Sequence, residues 1–156
     1  MSKLFRYATL TTSPTCSGSL SAHAIISNPI DVPANALRRE DGRIAESILE
    51  AVYQHGKPDA IVMHLNMTVI LGYKNVDMLD NLVRAAIQVK ERHQSHAHFA
   101  LVLRSDGERE VDDAKRKSRL AALAKGIPVF DEPSDAARAL AAVRAIERFR
   151  QLRKIG

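Results

Sequence analysis

Three polar clusters each follow an apolar run: Asn66, Met67 and Thr68 after "AIVMHL", Arg104, Ser105 and Asp106 after "HFALVL", and Asp131 and Glu132 after "IPVF". If the runs are strands of an open parallel sheet, the clusters lie beyond their carboxyl ends, where such sheets bind ligands. The Asn66 amide, the Thr68 and Ser105 hydroxyls and the Arg104 guanidinium suit an acyl carboxylate or a phosphate. Asn, Ser and Asp also close turns and cap helices, and residue type alone leaves both uses open. Asn28 and Asp31 of "NPID" and Gly72 of "NMTVILGYKN" complete the candidate positions, and "NPID" suits a structural turn equally well.

No catalytic residue stands out beside them. His93, His96 and His98 are spaced by three and two, straddling the end of one expected helix and the start of a strand. A tetrahedral metal site there needs a local turn and a fourth ligand that the sequence does not offer, so a solvated loop is the simpler reading and no metal is assigned. His64 lies inside an apolar run and reads as a hydrogen-bonded core histidine. Cys16, the one cysteine, has no second thiol for a disulfide or a shared metal site.

The elements that must hold these residues follow from periodicity. A chain of 156 residues, 46% hydrophobic and 26% charged, has the size and composition of one globular domain. From residue 40 onward, segments of helical period alternate with short apolar runs, the pattern of a parallel sheet covered by helices. Helices are expected over 41–55, 75–94, 109–126 and from Pro133 onward, and strands over 60–66, 98–105 and "IPVF". Gly126 is a natural C-terminal cap, and Pro133 fits a first helical position. The last helix should pack through Ala136, Ala139, Leu140, Val143, Ile146 and Phe149. Residues 1–35 differ in kind, with "KLFRYATL" and "HAIIS" as weak strand candidates.

The longest apolar run contains His64 and Asn66 and stops at Gly72, so a membrane span is not expected. The N-terminus lacks the continuous apolar core of a secretory signal, which makes the cytoplasm the expected location. The net charge of +5 is concentrated in "AKRKSR" and the last helix, and four Phe and three Tyr offer little to stack on bases. Solvated helix faces account for it better than a nucleic-acid groove.

"NPID", the helix "GRIAESILEAV", the strand "DAIVMHLN" and above all "GIPVFDEPSDAARALAAV" resemble the second flavodoxin-like, or CoA-ligase, domain of the NDP-forming acyl-CoA synthetases. That domain is similar to the C-terminal domain of the succinyl-CoA synthetase β subunit. The resemblance spans about residues 27–150 and implies a three-layer α/β fold, an open parallel sheet flanked by helices. Three strands are clear, and the first strand-helix unit is missing or altered. On this reading residues 1–26 are an irregular segment and 27–156 the CoA-ligase-like domain.

The resemblance also implies an activity. The complete enzyme is an acid-thiol ligase that joins an acid to coenzyme A with cleavage of ATP or GTP, with Mg, through an acyl phosphate and a phosphohistidine. ATP-grasp and Rossmann CoA-binding domains or subunits are implied as partners, in a homo- or hetero-oligomer, and this chain by itself would bind no cofactor. It has no "GGxG" phosphate turn and no G-x-x-x-x-G-K-[ST], so it would contribute part of an acyl/phosphate site without being catalytically complete. The alternative is a non-enzymatic α/β interaction or assembly module whose exposed sheet edge pairs with another chain.

Overall fold

The computed structural model describes residues 7–13, 29–33, 36–37, 42–72, 77–93 and 97–153. The strands are β1 (Tyr7–Ser13), β2 (Ile30–Pro33), β3 (Ala60–Asn66), β4 (His98–Arg104) and β5 (Val129–Phe130). The helices are α1 (Ile44–Ala51), continued by a π-helical turn over Val52–Gly56, then α2 (Met67–Leu71), α3 (Met78–His93), α4 (Arg109–Ala124) and α5 (Pro133–Arg153). All strand pairs are parallel and the order is β2-β1-β3-β4-β5, that of a flavodoxin-like open sheet.

The expected architecture is present, with two strands more than the three read clearly from sequence. One of them, β1, begins inside "KLFRYATL" and runs on to Ser13; "HAIIS" lies outside the described residues. The other falls on "IDVP", so Asp31 stands in a strand and not in a turn. A strand thus precedes β2 in the chain. The connection from β1 to β2 lies outside the described residues.

The central strands are near-continuous apolar runs because both of their faces are covered. One face carries Ile61, Met63, Leu65, Phe99, Leu101 and Leu103 against the apolar stripes of α1, α3 and α4. The other carries Val62, Val102 and Phe130 against Ala136 and Leu140 of α5. Those are the three layers. On β2, Ile30 and Val32 join the first core while Asp31 between them is exposed, the alternation a strand imposes.

Local chemistry sets two of the boundaries as expected. Gly126 adopts φ +70°, with Gly126 N–H donating to Leu123 O at 2.9 Å and Ile127 N–H to Ala122 O at 3.0 Å, a Schellman motif that buries Ile127 completely. Pro133 opens α5, where its missing N–H costs nothing. At the end of the π-turn the left-handed residue is Lys57, φ +43°, not the neighbouring Gly56.

The packing stripe of α5 is shorter than its periodicity suggests. Ala136 is fully buried, but Ile146 and Phe149 are 52% and 55% exposed. The 21 residues of α5 make a helix about 31 Å long, whereas the seven residues of β4 span about 23 Å, so the helix outruns the sheet it packs on.

Candidate functional site at the carboxyl edge of the sheet

The strand order reverses at β1: the chain leaves it for β2 on one side and then crosses to β3 on the other. Open α/β sheets bind ligands in the crevice outside the carboxyl ends of the two strands at such a point, here Ser13 and Asn66. Ser13 registers with Pro33, and Leu10 with Met63, so three residues further on Ser13 and Asn66 are level. On the other side of β3, Asn66 registers with Arg104. The ends of β2, β1, β3 and β4 thus form one edge.

Asn66 caps α2, its side-chain oxygen accepting the Val69 N–H at 3.5 Å. Met67 is fully buried in the core; its side chain is turned away from the edge and fills the space beneath α2. Thr68 is exposed and hydrogen-bonds the Asp106 carboxylate, and that bond, with the Glu108 N–H, holds Asp106 below the usual carboxylate range. Gly72 closes α2 through its N–H to Thr68 O at 3.1 Å, with φ −60°, which needs no glycine. Gly72 is a helix end and not a phosphate turn.

Beyond β4 the polar groups bond mainly to one another. The Ser105 hydroxyl donates to Asp112 Oδ1 at 2.6 Å and accepts the Gly107 N–H at 3.0 Å, and Asp106 Oδ1 accepts the Glu108 N–H at 3.2 Å. These bonds order the turn that leads into α4, and the carboxylates of Glu110 and Asp112 in the first turn of that helix oppose an anion there. Asp131 is bridged by Lys115 and Arg119, and the Lys115 hydrogen bond comes first in holding its carboxyl low. Arg104, more than half exposed, lies 3.9 Å from Glu132. Among the described residues it is a cation at the carboxyl edge, on the β4 side of Asn66.

Of the "NPID" pair, Asn28 lies outside the described residues and Asp31 sits two residues before the end of β2. The edge therefore collects Asp31, Asn66, Thr68, Arg104 and Ser105, and excludes the side chain of Met67. It adds His64, two residues before Asn66 on the same face of β3. Burial, then the nearby Arg104, pushes the His64 imidazole below its ordinary range, and among the described residues its Nε2 has no hydrogen-bond partner. His64 lies half-buried in β3, where a hydrogen-bonded core histidine is expected, and it is the Nε2 side of the ring that lacks a partner. The signal was a lone polar residue within an apolar run.

The histidine trio does not converge. His93 bonds Glu50 and stacks on Tyr53 with ring centroids 4.4 Å apart, His98 bonds Glu147 at 2.8 Å, and His96 lies outside the described residues. Among the described residues no group of three His, Cys, Asp or Glu side chains is arranged to hold a metal. None of the described helices is long and apolar enough to cross a membrane.

Sequence reasoning missed a groove of about 850 Å³ along α5, lined by Val62, Leu140, Ala141, Arg144, Arg148 and Leu152 among others. Searches of family models, curated proteins and solved structures found no match to the chain.

Proposed function

We propose that the chain is a CoA-ligase-type domain of an NDP-forming acyl-CoA synthetase, contributing part of an acyl or phosphate site and needing partner domains for activity. The observation that carries this reading is the strand order β2-β1-β3-β4-β5, with "NPID" leading into β2 and Asn66 ending β3 on either side of β1. Asp31 of "NPID" stands two residues below the carboxyl edge at which Asn66 ends β3. Asn66 lines it from the end of β3 and Thr68 from α2, Arg104 supplies positive charge from β4, and Asp31 stands on β2. Coenzyme A and the Mg-bound nucleotide belong, in this reading, to Rossmann and ATP-grasp partners in the cytoplasm.

Calorimetric titration of the purified chain with coenzyme A, a short acyl-CoA and phosphate tests it. Saturable binding of at least one is expected, weakened about tenfold by Arg104→Ala through loss of a charge-assisted hydrogen bond. A folded chain that binds none of the three would sink recognition by this edge.

A second reading, a non-enzymatic interaction module, is favoured by the apolar groove beside α5. The sheet edges serve it poorly, because β2 has four residues and β5 only two, leaving few unpaired backbone groups. Association would then run through the helix and not through strand addition.

A further inference from the structure

Among the described residues, the large hydrophobic side chains that stand exposed are Leu120 and Leu123 of α4 and Ile146, Phe149 and Leu152 of α5, from 49% to 65%. Both helices run from the carboxyl edge of the sheet to its amino edge, and both sets lie in the half nearest the amino edge. Glu147 bonds His98, the first residue of β4, so α5 is level with that edge there, and its remaining residues through Arg153 project up to about 9 Å past the sheet. Val143, Ile146, Phe149 and Leu152 recur every three residues, a stripe that winds from the half-buried face of the helix onto its outer face. Charge is sorted along the same direction. At the amino edge the last turns carry Lys90, Arg92 and His93 on α3 and Arg150 and Arg153 on α5, whereas first turns at the carboxyl edge carry Asp80, Glu110, Asp112 and Asp135. Glu50, Glu91 and Glu147, carboxylates that reach the amino edge, are paired with Arg92 and His93, with Lys125 and with His98. Arg150 and Arg153 face no carboxylate among the described residues, and Arg153 lies over the Phe149 ring at 4.7 Å.

This corner is projecting, apolar and basic, and the three properties together select its occupant. A partner helix docks in a groove, whereas the end of α5 stands out from the body. A second copy in two-fold contact would set Arg150 and Arg153 against their own kind. Nucleic acid would meet the arginines but gain nothing from Ile146 and Leu152, and Phe149 alone is a poor stacking platform. An anionic bilayer satisfies both parts: the apolar side chains enter the boundary between headgroups and acyl chains, and the arginines beside them stay with the phosphates. We propose that the projecting end of α5 rests on the surface of an anionic phospholipid bilayer, with Ile146, Phe149 and Leu152 inserted and Arg150 and Arg153 on lipid phosphates. The contact is peripheral, and it does not depend on the carboxyl-edge site, which lies at the other end of the strands.

The test uses the full chain and lipid vesicles. The unaltered chain should co-sediment with phosphatidylcholine vesicles containing about a third phosphatidylserine, should be released as salt is raised, and should stay in the supernatant with phosphatidylcholine alone. Arg153→Glu should weaken partition about tenfold, while Arg109→Glu, the same change of charge at the start of α4 on the carboxyl edge, should leave it within about twofold. The chain has no tryptophan, so Phe149→Trp, at a half-exposed position, gives a single reporter whose emission should shift to the blue on the anionic vesicles and be quenched by brominated acyl chains. Absence of co-sedimentation, equal binding to neutral vesicles, or equal losses from Arg109→Glu and Arg153→Glu overturns the proposal. Binding to single-stranded RNA with the tryptophan emission unmoved by vesicles overturns it in favour of nucleic acid. A dimer in light scattering that Phe149→Lys converts to monomer also overturns it, assigning the corner to a second copy.

Discussion

At the scale of single residues, two titrating groups make separable contributions to acid sensitivity. His64 is held neutral by burial, so the unfolded chain takes up its proton first as pH falls below about 6.5, and stability drops in that window. Because Nε2 has no partner among the described residues, His64→Leu should raise stability by about 1 kcal/mol and remove that slope, as read by urea denaturation between neutral and mildly acidic pH. Glu50 acts lower. The His93 hydrogen bond, with Arg92 adding, holds its carboxyl below the usual carboxylate range. A group depressed in this way stabilises above its unfolded value and loses that contribution as pH falls through the folded one. Glu50→Gln should therefore flatten the acid limb below about pH 4.5 while leaving the His64 window intact.

At the scale of elements, backbone conformation sets the sensitive positions. Lys57 ends the α1 and π-turn segment in a left-handed conformation that costs a side chain about 1 kcal/mol, and Lys57→Gly should recover roughly that amount in thermal melts. Gly42 and Gly107 both have positive φ, but they differ in surroundings. A Cβ on Gly42 would meet Leu82 Cγ and Met78 O at 3.3 Å, while one on Gly107 meets nothing within 4 Å. Gly42→Ala should accordingly cost more than Gly107→Ala, by about 1 kcal/mol or more, because only the first adds a clash with α3 to the backbone strain. Equal losses would mean that α3 shifts freely beneath that turn.

At the scale of the whole molecule, the sheet's two faces are unequally supported. Residues of β2, β3, β4 and β5 share one large core with α1 to α4, whereas the opposite face has a small cluster under the first half of α5 among the described residues. Leu101, fully buried at the centre of β4, should cost 2–5 kcal/mol when changed to Ala, in a range set by how far the cavity can collapse. Leu152→Ala, 65% exposed beyond the sheet, should change stability by no more than about 0.5 kcal/mol. Chemical denaturation measures both. A large loss at Leu152 would mean that the end of α5 is packed in solution.

What the sequence determined alone was whatever short-range physics controls: the helical stripes of α1, α3 and α4, the apolar runs of β3 and β4, the glycine that must turn left-handed after α4 and the proline that can open α5. The polar clusters at strand ends were legible for the same reason, since strand direction and length place them at one edge. Only the tertiary structure decided the rest. The polar, Thr-rich β1 and the four-residue β2 become strands through pairing with neighbours distant in the chain, as parallel strands must. Met67 follows a strand end as a site residue would and is nonetheless core, buried at the first position of α2. Ile146 and Phe149 fit the helix period of α5 and still lie exposed, because burial depends on whether an opposing surface reaches that far, and the sheet ends before the helix does.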